Sequence, residues 1–320
     1  MEEIDILLAT YNGEKYLNEQ IESILNQTYK NFRLIIYDDC STDDTLKILE
    51  KYKQVDNRII VYRQEENVGY VKNFEMLLEK VENDIYMLSD QDDVWLPNKI
   101  EESLKTLREQ KADLVYTDLE VVDENLNVIY PSFTKYRKTF DKAKKYNDYR
   151  AVFLYNLVTG CTIISKKAFI NKILPLPKNK YMPHDFWLAL NVAINGKIYF
   201  LEKPYIMYRQ HGNNQIGSKK TTEDYKSFKQ VRDLFVDVKI NIFTTYVQNN
   251  KSFPNDLKEL SKNALNYFNS VKDIKYINFK DWKTFNDLYK YDNFKYYIIN
   301  FIIINIPILG SLLYKFKMKG

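Results

Sequence analysis

Short apolar runs alternate with longer amphipathic stretches along the amino-terminal part of the chain. The alternation predicts strands at 4–9, 32–37, 59–64, 85–88 and 114–118, with helices at 14–27, 43–53, 70–82 and 97–109 between them. Strands and helices that alternate over short connections form a parallel sheet covered by helices. Ser41 or Thr42 is placed to cap the second helix, whose early carboxylates Asp43 and Asp44 suit its positive end, and Pro97 suits the first turn of the fourth. Beyond residue 118 the pattern changes. Residues 120–129 read as a hairpin turning at Asp123, Glu124 and Asn125, and the Lys- and Tyr-rich residues 134–150 as an exposed excursion. Regular structure resumes at 158–165, with a helix at 185–193 and a strand at 197–201. From residue 220 onward the periodicity is helical, with polar interruptions near 250–256 and 273–280. The expectation is an α/β domain over residues 1–218 and a helical region over 219–320, with no internal repeat.

Composition narrows this picture little but usefully. A chain of 320 residues with 28% charged side chains is globular and long enough for a sizeable core. Its formal charge of +4 is a mild, unclustered excess, which argues against nucleic-acid binding. Cys40 and Cys161 lie far apart, neither with a second Cys or a His at metal-ligand spacing, which points to a reducing, cytosolic compartment. The apolar run Ile4–Ala9 is too short for the core of a secretion signal and reads as a strand.

The chemistry concentrates after two strands. The run at 85–88 delivers Asp90, Asp92 and Asp93 to one tight loop, and like charges so close need compensation by a cation, a Lys or Arg, or water. Hard oxygen ligands suit Mg²⁺ or Mn²⁺, which in turn suit a phosphate-bearing substrate. An isolated Asp-x-Asp is most often a solvated turn, but here a second acidic pair, Asp38 and Asp39, ends the strand at 32–37. In open α/β sheets ligands sit in the crevice beyond the carboxyl ends of parallel strands, so both acidic sites would face it.

Five motifs occur in order: Leu7-Leu8-Ala9-Thr10-Tyr11-Asn12-Gly13, Ser23-Ile24-Leu25-Asn26-Gln27, Ile36-Tyr37-Asp38-Asp39-Cys40-Ser41, Asn67-Val68-Gly69, and Asp90-Gln91-Asp92-Asp93-Val94-Trp95. Together they resemble family 2 glycosyltransferases with the GT-A fold, a Rossmann-like nucleotide-sugar-binding domain with a mainly parallel sheet. The resemblance is strong to residue 120, weaker to 215 and absent beyond 220. The Ser-Asp-Gln-Asp-Asp-x-Trp form of the acidic loop is similar to that of bacterial cell-surface polysaccharide enzymes, rhamnosyltransferases among them. The resemblance implies an inverting transfer from a nucleotide sugar, a dTDP- or UDP-sugar, to a hydroxyl of a glycan or lipid-linked acceptor, with Mn²⁺ or Mg²⁺ as cofactor.

It also implies roles. Asp92 matches the metal ligand and Asp90 the carboxylate beside the ribose and metal, while Asp93 supports the loop or caps a helix. Asp39 matches the partner of the nucleobase, and Thr10, Tyr11 and Asn12 the wall that holds base and ribose. Asn67 and Gly69 either bring backbone close to the donor or form a plain turn. Asp185 matches the general base. His184 departs from the family's usual Glu, and would orient Asp185, contact the acceptor or cap the helix. Trp187 would line the acceptor pocket or belong to the core. In Tyr208-Arg209-Gln210-His211, Arg209 suits phosphate and His211 the diphosphate or metal, in a loop that Gly212 and Gly217 would let close.

The residues 294–316 are nearly all apolar and run into Lys315, Lys317 and Lys319, but Asn300, Asn305, Pro307 and Gly310 argue against a simple bilayer crossing. A helix lying at the inner face of the cell membrane, one packed on the protein's own surface, and one pairing with a second subunit all fit. Two other functions are open. A non-catalytic nucleotide-binding scaffold would need no combination of Asp92 with Asp185, and a nucleotidyltransferase would want a Gly-rich basic loop where Thr10–Glu14 stands.

Overall fold

The computed structural model describes residues 2–137, 139, 145, 148, 149, 152–212, 228–273, 282–290 and 294–306. Much of the expected excursion at 134–150, Gly217, the interruption at 274–280 and the tail beyond 306 lie outside the described residues. The chain divides into two compact units, Met1–Lys178 with Pro183–Ser218, and Asn179–Met182 with Lys219–Gly320.

In the first unit the strands are β1 (Ile4–Thr10), β2 (Phe32–Asp38), β3 (Ile59–Arg63), β4 (Ile85–Ser89), β5 (Val94–Trp95), β6 (Leu114–Val122), β7 (Val128–Tyr130), β8 (Ile163–Lys166) and β9 (Ile198–Arg209). They form a sheet in the order β3-β2-β1-β4-β8-β6-β9-β5, with β7 on β6. The helices are α1 (Leu17–Leu25), α2 (Thr45–Val55), α3 (Tyr70–Glu79), α4 (Lys99–Glu109), α5 (Phe133–Tyr136), α6 (Ile170–Ile173) and α7 (His184–Asn195). The first four strands in the order are mutually parallel, β8 runs antiparallel between β4 and β6, and β9 is parallel to β6. The sheet is therefore mixed, with its parallel half where the apolar runs are most continuous. β1 reads as an unbroken apolar run because both its faces are covered. Ile4, Ile6 and Leu8 join a core cluster with Leu17, Ile21 and Ile24 of α1 and Ile100, Leu104 and Leu107 of α4, while α3 packs on β1 and β2.

Register places the chemistry. Thr10 pairs with Asp38 and Leu8 with Ser89, so the ends of β1, β2 and β4 open on one edge. Two helix starts differ from expectation. Ser41 caps nothing, because its hydroxyl donates to Asp38 Oδ1 at 2.5 Å and its amide to Oδ2 at 2.9 Å; α2 begins instead at Thr45, whose amide donates to Asp43 Oδ1 at 3.0 Å. Pro97 lies ahead of α4, and its carbonyl accepts the Thr28 amide at 2.8 Å. β9 is longer than the predicted 197–201. Its register against β6 shifts near Pro204, and it then continues against Glu120–Val122 and, on its other side, β5. A Pro that cannot donate to the ladder is tolerated at such an irregularity, and the broken apolar pattern hid the strand's second half.

The second unit comprises α8 (Phe228–Gln248), α9 (Asn255–Lys272), α10 (Trp282–Tyr289) and α11 (Phe294–Asn305). Phe243 stacks on Phe268 at 5.6 Å, and Phe285 meets Trp282, Tyr289 and Phe301. Buried Arg232 donates to the carbonyls of Val271, Lys272 and Ile304, which satisfies acceptors that the ends of α9 and α11 leave open. The described half of the apolar tail adds to this core through buried Ile304 and through Asn305, whose Oδ1 accepts the Tyr267 hydroxyl at 2.8 Å, while Ile298 and Ile299 are exposed. Among the described residues no helix is long and apolar enough to cross a membrane.

Candidate active site

The turn after β1 is tied to the loops beside it. Asn12, at φ +47°, donates its amide to Ser41 Oγ at 2.9 Å, and its Oδ1 accepts the Thr42 amide at 2.9 Å. Buried Thr10 donates to Asp38 Oδ1 at 3.1 Å, while the Tyr11 ring is exposed. Asp39 is 2% exposed, and its two carboxylate oxygens accept the amides of Val68 at 2.8 Å and Gly69 at 2.9 Å. Asn67 Nδ2 donates to the Asp39 carbonyl at 3.2 Å. Asn67 and Gly69 thus hold Asp39 in place, and Gly69, at φ +82°, adopts a backbone that favours glycine.

Gln91, in the middle of the acidic loop, reaches back to the same turn. Its Oε1 accepts the Tyr11 amide at 2.8 Å and its Nε2 donates to the Tyr11 carbonyl at 2.9 Å. A Cβ on Gly13 would stand 2.4 Å from Gln91 Oε1, so the clamp requires glycine there. Sequence reasoning quoted Gln91 only as the spacer between carboxylates; its two-sided polar side chain was the available signal. Gln91→Ala removes both bonds from the donor wall, and nucleotide affinity is expected to fall about tenfold with little change in melting temperature. Isothermal titration with UDP and dTDP checks this.

The carboxylates of the loop point in different directions. Asp92 Oδ2 lies 2.9 Å from His211 Nε2, both side chains partly exposed at 18% and 10%. Asp93 is buried and its Oδ1 accepts the Arg209 amide at 3.2 Å. The ligand atoms of Asp90, Asp93 and Cys161 lie within 4.8 Å of one another, a grouping that chain spacing could not reveal. Burial raises the Asp90 pKa, reinforced by the charges of Asp92 and Asp185, and burial with Asp92 and Asp90 does the same to Asp93. Lys99, at the start of α4, is wholly buried beside them.

Arg209 is placed otherwise than expected for a phosphate ligand. It is 1% exposed, with Nε donating to the Asp92 carbonyl at 2.9 Å, Nη1 to the Glu124 carbonyl at 2.6 Å and Nη2 paired with Glu19. Its guanidinium lies 4.4 Å over the Tyr16 ring. With its donors turned inward, Arg209 fixes the backbone of the acidic loop instead of reaching a ligand.

Asp185 heads α7 and is 6% exposed, its Oδ2 accepting the Gly160 amide at 3.0 Å and Oδ1 the Phe186 amide at 2.6 Å. Burial outweighs these bonds and pushes its carboxyl up to about 6. It is close enough to act electrostatically on Asp90 and on Arg137. His184 is stacked on Phe74 with centroids 3.8 Å apart, and neither ring nitrogen has a hydrogen-bond partner among the described residues. Burial lowers its pKa to about 3, so the ring is neutral and supports Asp185 from below. Trp187 does not line an acceptor pocket: it is buried, with its indole N–H donated to the Ile173 carbonyl at 2.9 Å. Successive helix positions point about a quarter-turn apart, so Asp185 and Trp187 serve different faces.

Comparison with known proteins agrees with this architecture. A model of glycosyl transferase family 2 matches residues 5–171. The chain is 32% identical over 223 residues to the dTDP-rhamnosyl transferase RfbG of Shigella flexneri, across 66% of this chain and 74% of that one. The structure of S. aureus TarS residues 1–349 in complex with UDP-GlcNAc is similar at a TM-score of 0.60 and 19% identity, covering 91% of this chain and 81% of that one. The mannosyltransferase PcManGT of Pyrobaculum calidifontis, in complex with GDP-Man and Mn²⁺, is similar at 0.56 and 15% identity, covering 83% and 69%. The solved structures share the fold, and the family model and RfbG fix the lineage: the chain belongs to glycosyl transferase family 2 and is a glycosyltransferase of the GT-A fold.

Proposed function

We propose that the protein transfers a sugar, with inversion at the anomeric carbon, from a nucleoside diphosphate to a hydroxyl of a glycan or lipid-linked acceptor in bacterial surface-polysaccharide synthesis. The observation that carries this proposal is Asp185: a buried carboxylate, held by two backbone amides, that faces the acidic loop without belonging to it. A scaffold that only bound nucleotide would have no use for it. The polysaccharide setting is suggested by RfbG and by the 30% identity, over 122 residues, to the putative teichuronic acid biosynthesis glycosyltransferase TuaG of Bacillus subtilis.

In this mechanism the Thr10–Asn12 turn and Asp39 hold base and ribose, with Gln91 setting their distance from the acidic loop. Ionised Asp185 takes the acceptor hydroxyl's proton as that oxygen bonds to the anomeric carbon, while the carbon–oxygen bond to the diphosphate breaks on the opposite face. Asp92 and His211 offer a carboxylate oxygen and an imidazole nitrogen 2.9 Å apart at the accessible side of the loop, a donor set that fits Mn²⁺ or Mg²⁺. When bound there, such an ion supplies charge to offset that of the departing diphosphate. Asp90 would stand between the ribose and this pair.

The relatives differ in donor, dTDP-linked for RfbG and UDP-GlcNAc in the TarS complex, so the test is a screen. Purified protein is incubated with dTDP-rhamnose, UDP-hexoses, UDP-GlcNAc and GDP-mannose, each with Mn²⁺, Mg²⁺ or EDTA. Turnover of one donor that EDTA abolishes is expected. Absence of binding to every nucleotide sugar by folded, metal-supplied protein would sink the proposal in favour of a scaffold.

A further inference from the structure

Lys99 is the first residue of α4 and is wholly buried. Each local influence works against a cation there. Burial disfavours the charge, the helix dipole places positive potential at that end, and Nζ has no hydrogen-bond partner among the described residues. What favours it is the acidic loop. Asp93, Asp90 and Cys161 act on it electrostatically, and its Nζ stands 3.1 Å from the centroid of the Trp95 ring that closes the same motif. Asp93 Oδ2 is likewise buried with no hydrogen-bond partner among the described residues. Opposite charges that lack their usual hydrogen bonds share one pocket, so the compensation the acidic loop requires is partly supplied by the chain itself.

We propose that Lys99 is a positioning residue, the resident cation of the inner carboxylates, which keeps Asp90 and Asp93 turned inward and leaves Asp92 to face the divalent ion and the donor. The proposal rests on the assignment of that ion to Asp92 and His211. It explains how a loop with so many carboxylates serves a single ion: the inner set of Asp90, Asp93 and Cys161 already holds an ammonium, whose charge repels a second metal.

The test is titration of the full chain with Mn²⁺ alone, free ion being followed by electron paramagnetic resonance. Lys99→Met is expected to bind one more Mn²⁺ per chain than its parent, and Asp93→Asn in the same chain to abolish the extra ion. A folded Lys99→Met protein that binds no more Mn²⁺ than its parent would overturn the proposal. Should Lys99→Met alone fail to fold, Asp93→Asn restores charge balance and is expected to restore folding; a failure it does not rescue marks Lys99 as packing only, and overturns the proposal too. Asp92→Asn in the parent separately tests the outer ion, so loss of that assignment and loss of the Lys99 role read differently.

Discussion

Asp185→Asn is expected to lower kcat by about 10²–10⁴-fold, the usual contribution of a general base, with donor affinity unchanged. The substitution keeps the shape and a carbonyl oxygen for one of the amides of Gly160 and Phe186, so the protein should still fold. It removes only the ability to take a proton. The same argument gives a pH dependence with a defined sign. Burial pushes the Asp185 carboxyl up to about 6, and only the ionised form acts as base. Activity should therefore be flat at neutral pH and fall about tenfold per unit below about pH 6, a limb that disappears in the variant's residual rate. Single-turnover transfer measured from pH 5 to 8, beside donor binding by titration calorimetry, decides the matter. Undiminished turnover in Asp185→Asn would remove Asp185 from the chemistry.

Asp92→Asn should have the second largest effect, a loss of at least about 10²-fold in kcat/KM together with weakened Mn²⁺ binding. The loop should keep its shape, because the Asp92 carbonyl, not its side chain, accepts Arg209 Nε at 2.9 Å. Melting temperature should hardly move. His211→Ala should act in the same direction but by about tenfold to a hundredfold, and the double variant should lose less than the two single losses multiplied, since the residues share one ligand. Multiplicative losses in steady-state kinetics at saturating Mn²⁺ would mean that Asp92 and His211 work separately.

Much of the catalytic half of the fold could be read before any coordinates. Continuous apolar runs betray strands buried on both faces, and the acidic loops follow two such runs, so Asp38, Asp39 and Asp90–Asp93 fall on one edge wherever the sheet is parallel. What could not be read depends on long-range packing. Cys161 has no ligand spacing along the chain, yet β8 carries its neighbours antiparallel beside β4 and brings the thiol to Asp90 and Asp93. Lys99 looks like one more surface lysine at a helix start. Arg209 has the chemistry of a phosphate ligand, and only the positions of Glu19, Glu124 and Tyr16 turn it inward. Trp187 is an aromatic near a site, and only the carbonyl of Ile173 makes it core.

The short ladder between β5 and β9 also bears on how such a chain can change over generations. Val94 faces Met207 and Trp95 faces Ile206, so the approach of His211 to Asp92 is set by counting residues along two paired segments. Loss or gain of a single residue between Trp95 and Val94's own loop, or between Ile206 and His211, would slip the pairing and turn alternate side chains to the wrong face without touching any functional residue. Substrate preference can drift through loops that lengthen and shorten freely. Here the number of residues is inherited as strictly as their identity, and insertions in this stretch should be the rarest to survive.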